Sequence, residues 1–236
     1  MIRSLAVTRL HLNKREMVFG VPFFVYLSVV AVSMIVAIAM ARFGLDMDSP
    51  EVIQGFRNNG GAVWSITGFF VYLGVQAVAT TFPFGMSMGT TRRAYSAGTA
   101  LYFGVQSIYA GLIAVTLCSI EKLTNQWFVG AYVFDVAIFG TDNYLRVGLL
   151  TATITFVALS IGGAFGSLFV KAGSKGPIIG AIVLVFVLVA GVALAAPAIP
   201  EWIADATWVS GVVGGVLVGA IALAAQYFAL RRASVR

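Results

Sequence analysis

Charged residues are scarce in this sequence. Asp, Glu, Lys and Arg together make up 10% of its 236 residues, while hydrophobic residues make up 60%. Soluble domains carry roughly 25% charged residues and about half apolar residues, so this composition excludes a soluble globular protein. It also excludes an intrinsically disordered chain, because disorder requires low hydrophobicity and high net charge. The sequence therefore predicts a protein whose surroundings are mostly lipid.

Cysteine and histidine are almost absent, with Cys118 and His11 the sole example of each. They are too few for an intramolecular disulfide or for the thiolate or imidazole cluster of a structural metal site. The sequence also lacks H-E-x-x-H and the phosphate-binding pattern G-x-x-x-x-G-K-[ST], whose nearest fragment is Gly173 to Gly176. We therefore expect no catalytic residue, no cofactor and no metal, and we expect His11 on a solvated helix face.

Long uncharged stretches predict the fold class. A helix that crosses the bilayer needs about 20 residues, and a charge at the bilayer centre costs roughly 2.5 to 3.5 kcal/mol. The sequence predicts an all-α integral membrane protein, a single transmembrane domain over residues 1–236, with six transmembrane helices near 20–41, 62–81, 97–118, 147–168, 177–196 and 209–230. The uncharged stretch from Leu123 to Phe134 is too short to cross and is expected in a loop at the membrane surface.

The basic residues predict the orientation, because Lys and Arg are retained on the cytoplasmic side of short loops. One set of alternate loops and ends carries Arg3, Arg9, Lys14, Arg15, Arg92, Arg93, Lys171, Lys175, Arg231, Arg232 and Arg236, and the other carries Arg42, Arg57, Lys122 and Arg146. Both termini are therefore expected in the cytoplasm. This dispersal over short loops also disfavours nucleic acid as a partner, despite the net charge of +6.

The segment before the first span has a modest amphipathic pattern, with Ile2, Leu5, Ala6 and Leu10 on one helical face. It is predicted to form a short interfacial helix whose apolar side contacts lipid. The alternative is a disordered basic tail held near anionic lipid.

Glycine spacing predicts how the helices pack. Gly211, Gly215 and Gly219 repeat every four residues in the last predicted span, and Gly162 and Gly166 do so in the fourth. Small residues four apart let two helices approach closely, either within one subunit or between two subunits. The amides Gln76, Gln106 and Gln226 are expected to form interhelical hydrogen bonds or to line a polar path. No predicted span contains an ionisable residue, which disfavours an ion-coupled carrier.

The connection between the second and third predicted spans, residues 81–98, holds the most specific pattern. Pro83 is expected to break or kink the helix, Gly85 and Gly89 to permit tight turns, and Thr90 or Thr91 to cap a short helix. That helix would present Arg92, Arg93 and Tyr95 as a basic, aromatic surface toward the cytoplasm. The surface would serve either as a docking site or as an ordinary positive anchor with an interfacial tyrosine.

This pattern, P-F-x-x-x-x-G-T-T-R-R-x-Y-x-x-G, resembles the permease subunits of type-two ATP-binding cassette exporters, particularly the small actinobacterial kind. The resemblance implies a plasma-membrane subunit that is not itself an enzyme. Its partners would be a cytoplasmic ATP-binding cassette ATPase and a second permease copy or paralogue, in a homo- or heterodimer. It implies that the loop is a coupling helix, with ATPase-docking roles for Gly89, Thr91, Arg92, Arg93 and Tyr95, and that the N-terminal segment is an elbow helix.

One departure from the family is the outer loop of about 28 residues from Ser119 to Arg146, so no substrate-gate residue is transferred from the resemblance. The alternative function is a non-transporting membrane scaffold or sensor that presents its basic inner loops to a partner.

Overall fold

The computed structural model describes residues 2–13, 15–140 and 143–233. Lys14 and Arg236, two basic residues of the predicted topology, lie outside these ranges. The chain is 83% helical and has no strand in the described ranges, and six of its helices are long and apolar enough to cross a membrane. The prediction of an all-α, six-span, multi-pass membrane protein is confirmed.

The helices follow one another with short connections, except for the longer segment over residues 124–143 between α5 and α6. They are α1 (Ile2–Leu12), α2 (Val21–Arg42), α3 (Pro50–Arg57), α4 (Gly61–Ser87), α5 (Arg92–Leu123), α6 (Tyr144–Ala172), α7 (Lys175–Ala195), α8 (Ile199–Ala204) and α9 (Trp208–Arg231), with π-helical turns at Glu16–Gly20 and Gln126–Gly130. The membrane-spanning helices are α2 with the turn before it, α4, α5, α6, α7 and α9. They match the six predicted spans, and all but α7 extend further at both ends, above all α5, which begins at Arg92 and ends at Leu123.

Pro83 does not break its helix. Helix α4 continues through it and ends one turn later, at Ser87. A proline inside a helix removes one backbone hydrogen bond, and membrane helices tolerate this where neighbouring groups satisfy the freed carbonyl. Of the two effects expected at Pro83, a break does not occur, and a kink stays a prediction. The connection to the next span is shorter than the sequence indicated.

The described chain groups into two compact units. Unit 1 comprises residues 1–11, 71–103 and 156–236, and unit 2 comprises residues 12–70 and 104–155. The single transmembrane domain predicted over residues 1–236 stays a prediction. Each unit contains segments that are far apart in sequence, so each is held together by contacts between helices and not by local structure.

Unit 2 is organised around aromatic side chains and one carboxylate. The Tyr26 ring stacks on Phe134, with ring centroids 6.1 Å apart. The fully buried Glu121 accepts hydrogen bonds from the backbone N–H groups of Val133, Phe134 and Asp135 at 3.0 to 3.1 Å and from the Trp127 indole at 3.1 Å. Carboxylates that accept several N–H groups form strong, charge-assisted bonds. Residues 133–135 are therefore packed inside unit 2, whereas the sequence placed Val133 and Phe134 at the membrane surface.

The fifth span, α7, has no buried residue in its most apolar window. Large aliphatic side chains are exposed along its length, among them Ile182, Val185 and Leu188. A helix that is apolar on all sides suits a lipid environment. Its first turns lie close to α6 within unit 1, because an added Cβ at Gly176 would lie 2.2 Å from the Leu168 carbonyl oxygen.

Candidate functional site

The connection between α4 and α5 is a four-residue turn, residues 88–91, in unit 1. Gly89 has a φ of +76°, a backbone conformation that glycine adopts without the steric cost that other residues meet. The Thr91 hydroxyl accepts a hydrogen bond from the Ala94 N–H at 3.2 Å and so caps the first turn of α5. The predicted turn at Gly89 and the threonine cap are confirmed. The predicted turn at Gly85 is wrong, because helix α4 continues through that residue. The predicted short helix, however, is the first turn of the 32-residue helix α5.

The turn exposes a mixed apolar and basic surface. We define the turn surface as Phe84, Met88, Gly89, Thr91 and Arg93, all of which are exposed. Met88 is 71% exposed and Phe84 is 52% exposed, although both are large apolar residues. Sequence analysis missed these two as surface residues, because an apolar residue near a span is ordinarily assigned to the span. Aromatic, methionine and arginine side chains are enriched at protein interfaces.

Tyr95 does not belong to this surface. Its side chain is fully buried, its ring meets Phe82 edge to face at 5.1 Å between centroids, and its hydroxyl donates to the Ala77 carbonyl at 3.1 Å. The hydroxyl also shares a 2.6 Å hydrogen bond with the Thr81 hydroxyl. The prediction of Tyr95 as an exposed aromatic anchor is wrong, because both its ring and its hydroxyl contact α4 and are buried there. Tyr95 instead fixes the start of α5 against the end of α4.

Arg92 is also engaged within the chain. Its guanidinium donates to the carbonyl oxygens of Arg231 at 2.5 Å and of Ala233 at 2.7 Å, at the C-terminal end of α9. The last carbonyls of a helix lack intrahelical partners and carry partial negative charge that favours a cation. Arg92 therefore ties α9 to the start of α5, and it is half-buried. Of the two arginines that the sequence assigned to docking, Arg93 is the exposed one.

Helix α1 packs on α5 through a face that the sequence did not predict. The buried residues of this face are Val7, Thr8 and His11, whereas the predicted apolar face includes Leu5, which is 47% exposed. The Thr8 hydroxyl donates to the Gly98 carbonyl at 3.0 Å. The apolar face was expected to contact lipid, which stays a prediction. The face that packs is a different one, because the polar residues Thr8 and His11 find partners on α5. The prediction of a helix before the first span is confirmed.

His11 lies in the interior of unit 1, so its assignment to a solvated face is wrong. Its ring stacks on Tyr102 with centroids 4.7 Å apart and an interplanar angle of 15°, and its Nε2 lies 3.1 Å from the Thr99 hydroxyl oxygen. Burial lowers the pKa of His11 to about 4. The imidazole is therefore neutral at physiological pH, as a buried ring without a carboxylate partner should be.

The predicted packing glycines occupy different environments. An added Cβ would lie 2.1 Å from the Val71 carbonyl oxygen at Gly162 and 2.7 Å from the Val75 carbonyl oxygen at Gly166, so α4 and α6 approach closely. At Gly219 the Cβ would lie 2.5 Å from the Phe156 ring. Gly211 is exposed and Gly215 is half-buried. The closest approaches in this set are thus within one subunit, between helices of unit 1.

The three amide side chains in the spans also differ. Gln106 donates to the Val18 carbonyl at 2.7 Å, so its predicted interhelical hydrogen bond is confirmed. Gln76 donates to the Tyr72 hydroxyl at 3.0 Å on its own helix, where an interhelical bond was expected. Gln226 is fully buried, and neither amide atom has a hydrogen-bonding partner among the described residues.

In the part of the chain that the structure describes, no group of three or more His, Cys, Asp and Glu side chains could hold a metal ion. Comparisons with protein-family models, with curated proteins and with solved structures gave no match. The turn surface and the helices tied to it are therefore the features from which a function can be argued.

Proposed function

We propose that the chain is the membrane-spanning permease subunit of an ATP-binding cassette exporter and that a cytoplasmic ATPase docks on the turn surface. In this proposal the protein lies in the plasma membrane with both termini in the cytoplasm. It pairs with a second copy or a paralogue to enclose the transport path. The resemblance of residues 83–98 to the coupling loops of such permeases motivates the proposal, and the ATPase subunit performs the hydrolysis.

The proposal rests on two features of the 88–91 turn: most of its residues are exposed, and the residues beside it join α4, α5 and α9 through hydrogen bonds. Met88 and Phe84 are exposed at a helix end, beside the exposed Arg93. Immediately behind them, Tyr95 joins α4 to α5 and Arg92 joins α5 to α9 through hydrogen bonds. A partner that pushes on this surface would therefore move several helices together, since packed helices shift as rigid elements.

The ATPase contact can be tested by co-purification. Met88→Ala and Arg93→Ala, combined, remove an apolar anchor and a cation from exposed positions without touching buried contacts. Because truncation of interface hot spots costs about 2 kcal/mol or more each, the double variant should reach the membrane folded yet lose a co-expressed ATPase on affinity purification. The ATPase to co-express is one encoded in an adjacent reading frame with a phosphate-binding loop and a cassette signature.

The matched control is Lys171→Ala with Lys175→Ala. These two lysines are exposed at the end of α6 and the start of α7, so their removal changes net charge without altering the turn surface. Retention of the ATPase by this control and its loss from the Met88/Arg93 variant would support docking. Equal retention by both variants would reject the turn surface as the docking site. The absence of any such neighbouring ATPase gene would favour a membrane scaffold or sensor instead.

A further inference from the structure

We propose that unit 2 contains a structural water site, in which one water molecule bridges hydroxyl groups of α2 and α6. The site is a cavity of about 20 Å³. Its polar lining consists of the hydroxyl-bearing residues Tyr26, Thr67, Thr151 and Thr155, and aliphatic and aromatic side chains, among them Phe134, form the remaining wall. The proposal does not depend on the proposed transport function.

Two of these hydroxyl groups are buried without a partner. Tyr26 is 1% exposed and Thr151 is 6% exposed, and neither hydroxyl oxygen has a hydrogen-bonding partner among the described residues. Thr155 is the polar neighbour of the Tyr26 hydroxyl, but the two groups do not meet hydrogen-bond geometry. A buried hydroxyl without a partner is strongly unfavourable, so native proteins satisfy nearly all of them with protein groups or with ordered water.

The size of the cavity indicates that its ligand is a single water molecule. A water molecule needs about 10 to 15 Å³ of such space and two to four polar partners, so about 20 Å³ holds one water and excludes an organic molecule. Tyrosine and threonine hydroxyls each donate one hydrogen bond and accept others, and water donates two and accepts two. A single water can therefore satisfy Tyr26 and Thr151 together. Thr67 already donates to the Val63 carbonyl at 2.8 Å, which leaves its oxygen able to accept from the same water.

The water would connect hydroxyl groups of three transmembrane helices, and the irregular segment after α5 forms part of the cavity wall. Tyr26 belongs to α2, Thr67 to α4 and Thr151 to α6, while Phe134 lies beside the cavity and stacks on the Tyr26 ring. Backbone and side chains in such irregular segments need internal partners where lipid surrounds the protein. The water would thus act as a structural element of unit 2.

Two conservative substitutions test the site, because the melting temperature should fall if the cavity holds a water and rise if it does not. Tyr26→Phe and Thr151→Val each remove a hydroxyl with little change in volume. If the cavity holds a water that bonds both groups, each variant breaks a hydrogen bond and lowers the melting temperature of the purified protein. If the cavity is dry, each variant removes an unsatisfied buried hydroxyl and the melting temperature rises. Thr153→Val is the control, because the Thr153 hydroxyl bonds the Leu149 carbonyl of its own helix at 2.8 Å and does not line the cavity.

The double variant separates a shared water from two independent effects. Groups that bond the same water are coupled, so Tyr26→Phe combined with Thr151→Val should lower the melting temperature by clearly less than the sum of the single changes. A high-resolution cryo-electron microscopy map of the wild-type protein should show a peak between the two hydroxyls, and the double variant should lack it. Additive effects, a rise in melting temperature, or a wild-type map without the peak would each overturn the proposal.

Discussion

At the scale of single residues, Tyr95 and His11 are buried although the sequence around each is polar or basic. Tyr95 stands two residues after Arg93, and His11 stands two residues after Arg9. Their partners lie on other helices. His11 contacts Thr99 and Tyr102 of α5, and Tyr95 contacts Ala77 and Phe82 of α4. Local pattern cannot reveal such contacts, so the exposed position of Tyr95 and the solvated position of His11 were wrongly predicted. Gly89 and Thr91 were predictable because a turn and a cap depend on local backbone geometry.

The buried neutral His11 predicts a pH-dependent stability for the contact between α1 and α5. Its pKa is about 4 in the folded chain and about 6.5 when exposed, so the exposed form binds more protons between these values. The contribution of neutral His11 to the free energy of unfolding is therefore fully present above about pH 6.5 and is lost as the pH falls toward 4. At 1.36 kcal/mol per pKa unit, the loss amounts to about 3 kcal/mol.

The measurement is thermal unfolding in detergent at pH 7.5 and at pH 5. The wild type should lose more stability on acidification than His11→Phe, which keeps an aromatic ring against Tyr102 but cannot be protonated. Identical pH shifts in the two proteins would show that His11 does not titrate from a buried neutral state.

At the scale of helices, the number of spans was predictable and their ends were not. Six uncharged stretches determine six helices because charge is costly in hydrocarbon. The ends extend beyond these stretches where a charged residue finds a partner, as Arg92 does at the end of α9 and Glu121 does with three backbone N–H groups. The irregular segment after α5 was not predictable, because its structure depends on this one buried carboxylate.

The contact between α4 and α6 predicts a large effect from a very small substitution. Gly162→Ala places a methyl group 2.1 Å from the Val71 carbonyl oxygen, closer than van der Waals contact allows, so the helices must separate. Gly191→Ala is the control, because an added Cβ there meets nothing within 4 Å. An alanine in a helix is intrinsically favoured over glycine by about 1 kcal/mol.

We expect Gly162→Ala to reduce the yield of monodisperse protein and the melting temperature strongly, while Gly191→Ala leaves both unchanged or slightly raised. Fluorescence-detected size-exclusion chromatography and thermal unfolding measure the two quantities. Similar behaviour of both variants would contradict the close packing of α4 on α6.

At the scale of the whole molecule, the distribution of basic residues predicts the orientation in the membrane. Single cysteines at Ser49 and Asn143 should react with an impermeant thiol reagent applied to intact cells, and cysteines at Ser87 and Ser174 should not. The native Cys118 is buried and gives little background. Labelling at Ser174 from outside would overturn the predicted order of the spans, and protection of Asn143 would contradict an outer position for the connection from α5 to α6.

Photo-cross-linking from the turn surface tests the central claim most directly. A photoreactive phenylalanine analogue replaces Met88, which is 71% exposed, in cells that co-express the ATPase. The comparison position is Phe43, which is 85% exposed and lies after α2, on the side predicted to face away from the cytoplasm. We predict an ultraviolet-dependent adduct with the ATPase from position 88 and none from position 43. No adduct from position 88, or equal adducts from both, would contradict the account.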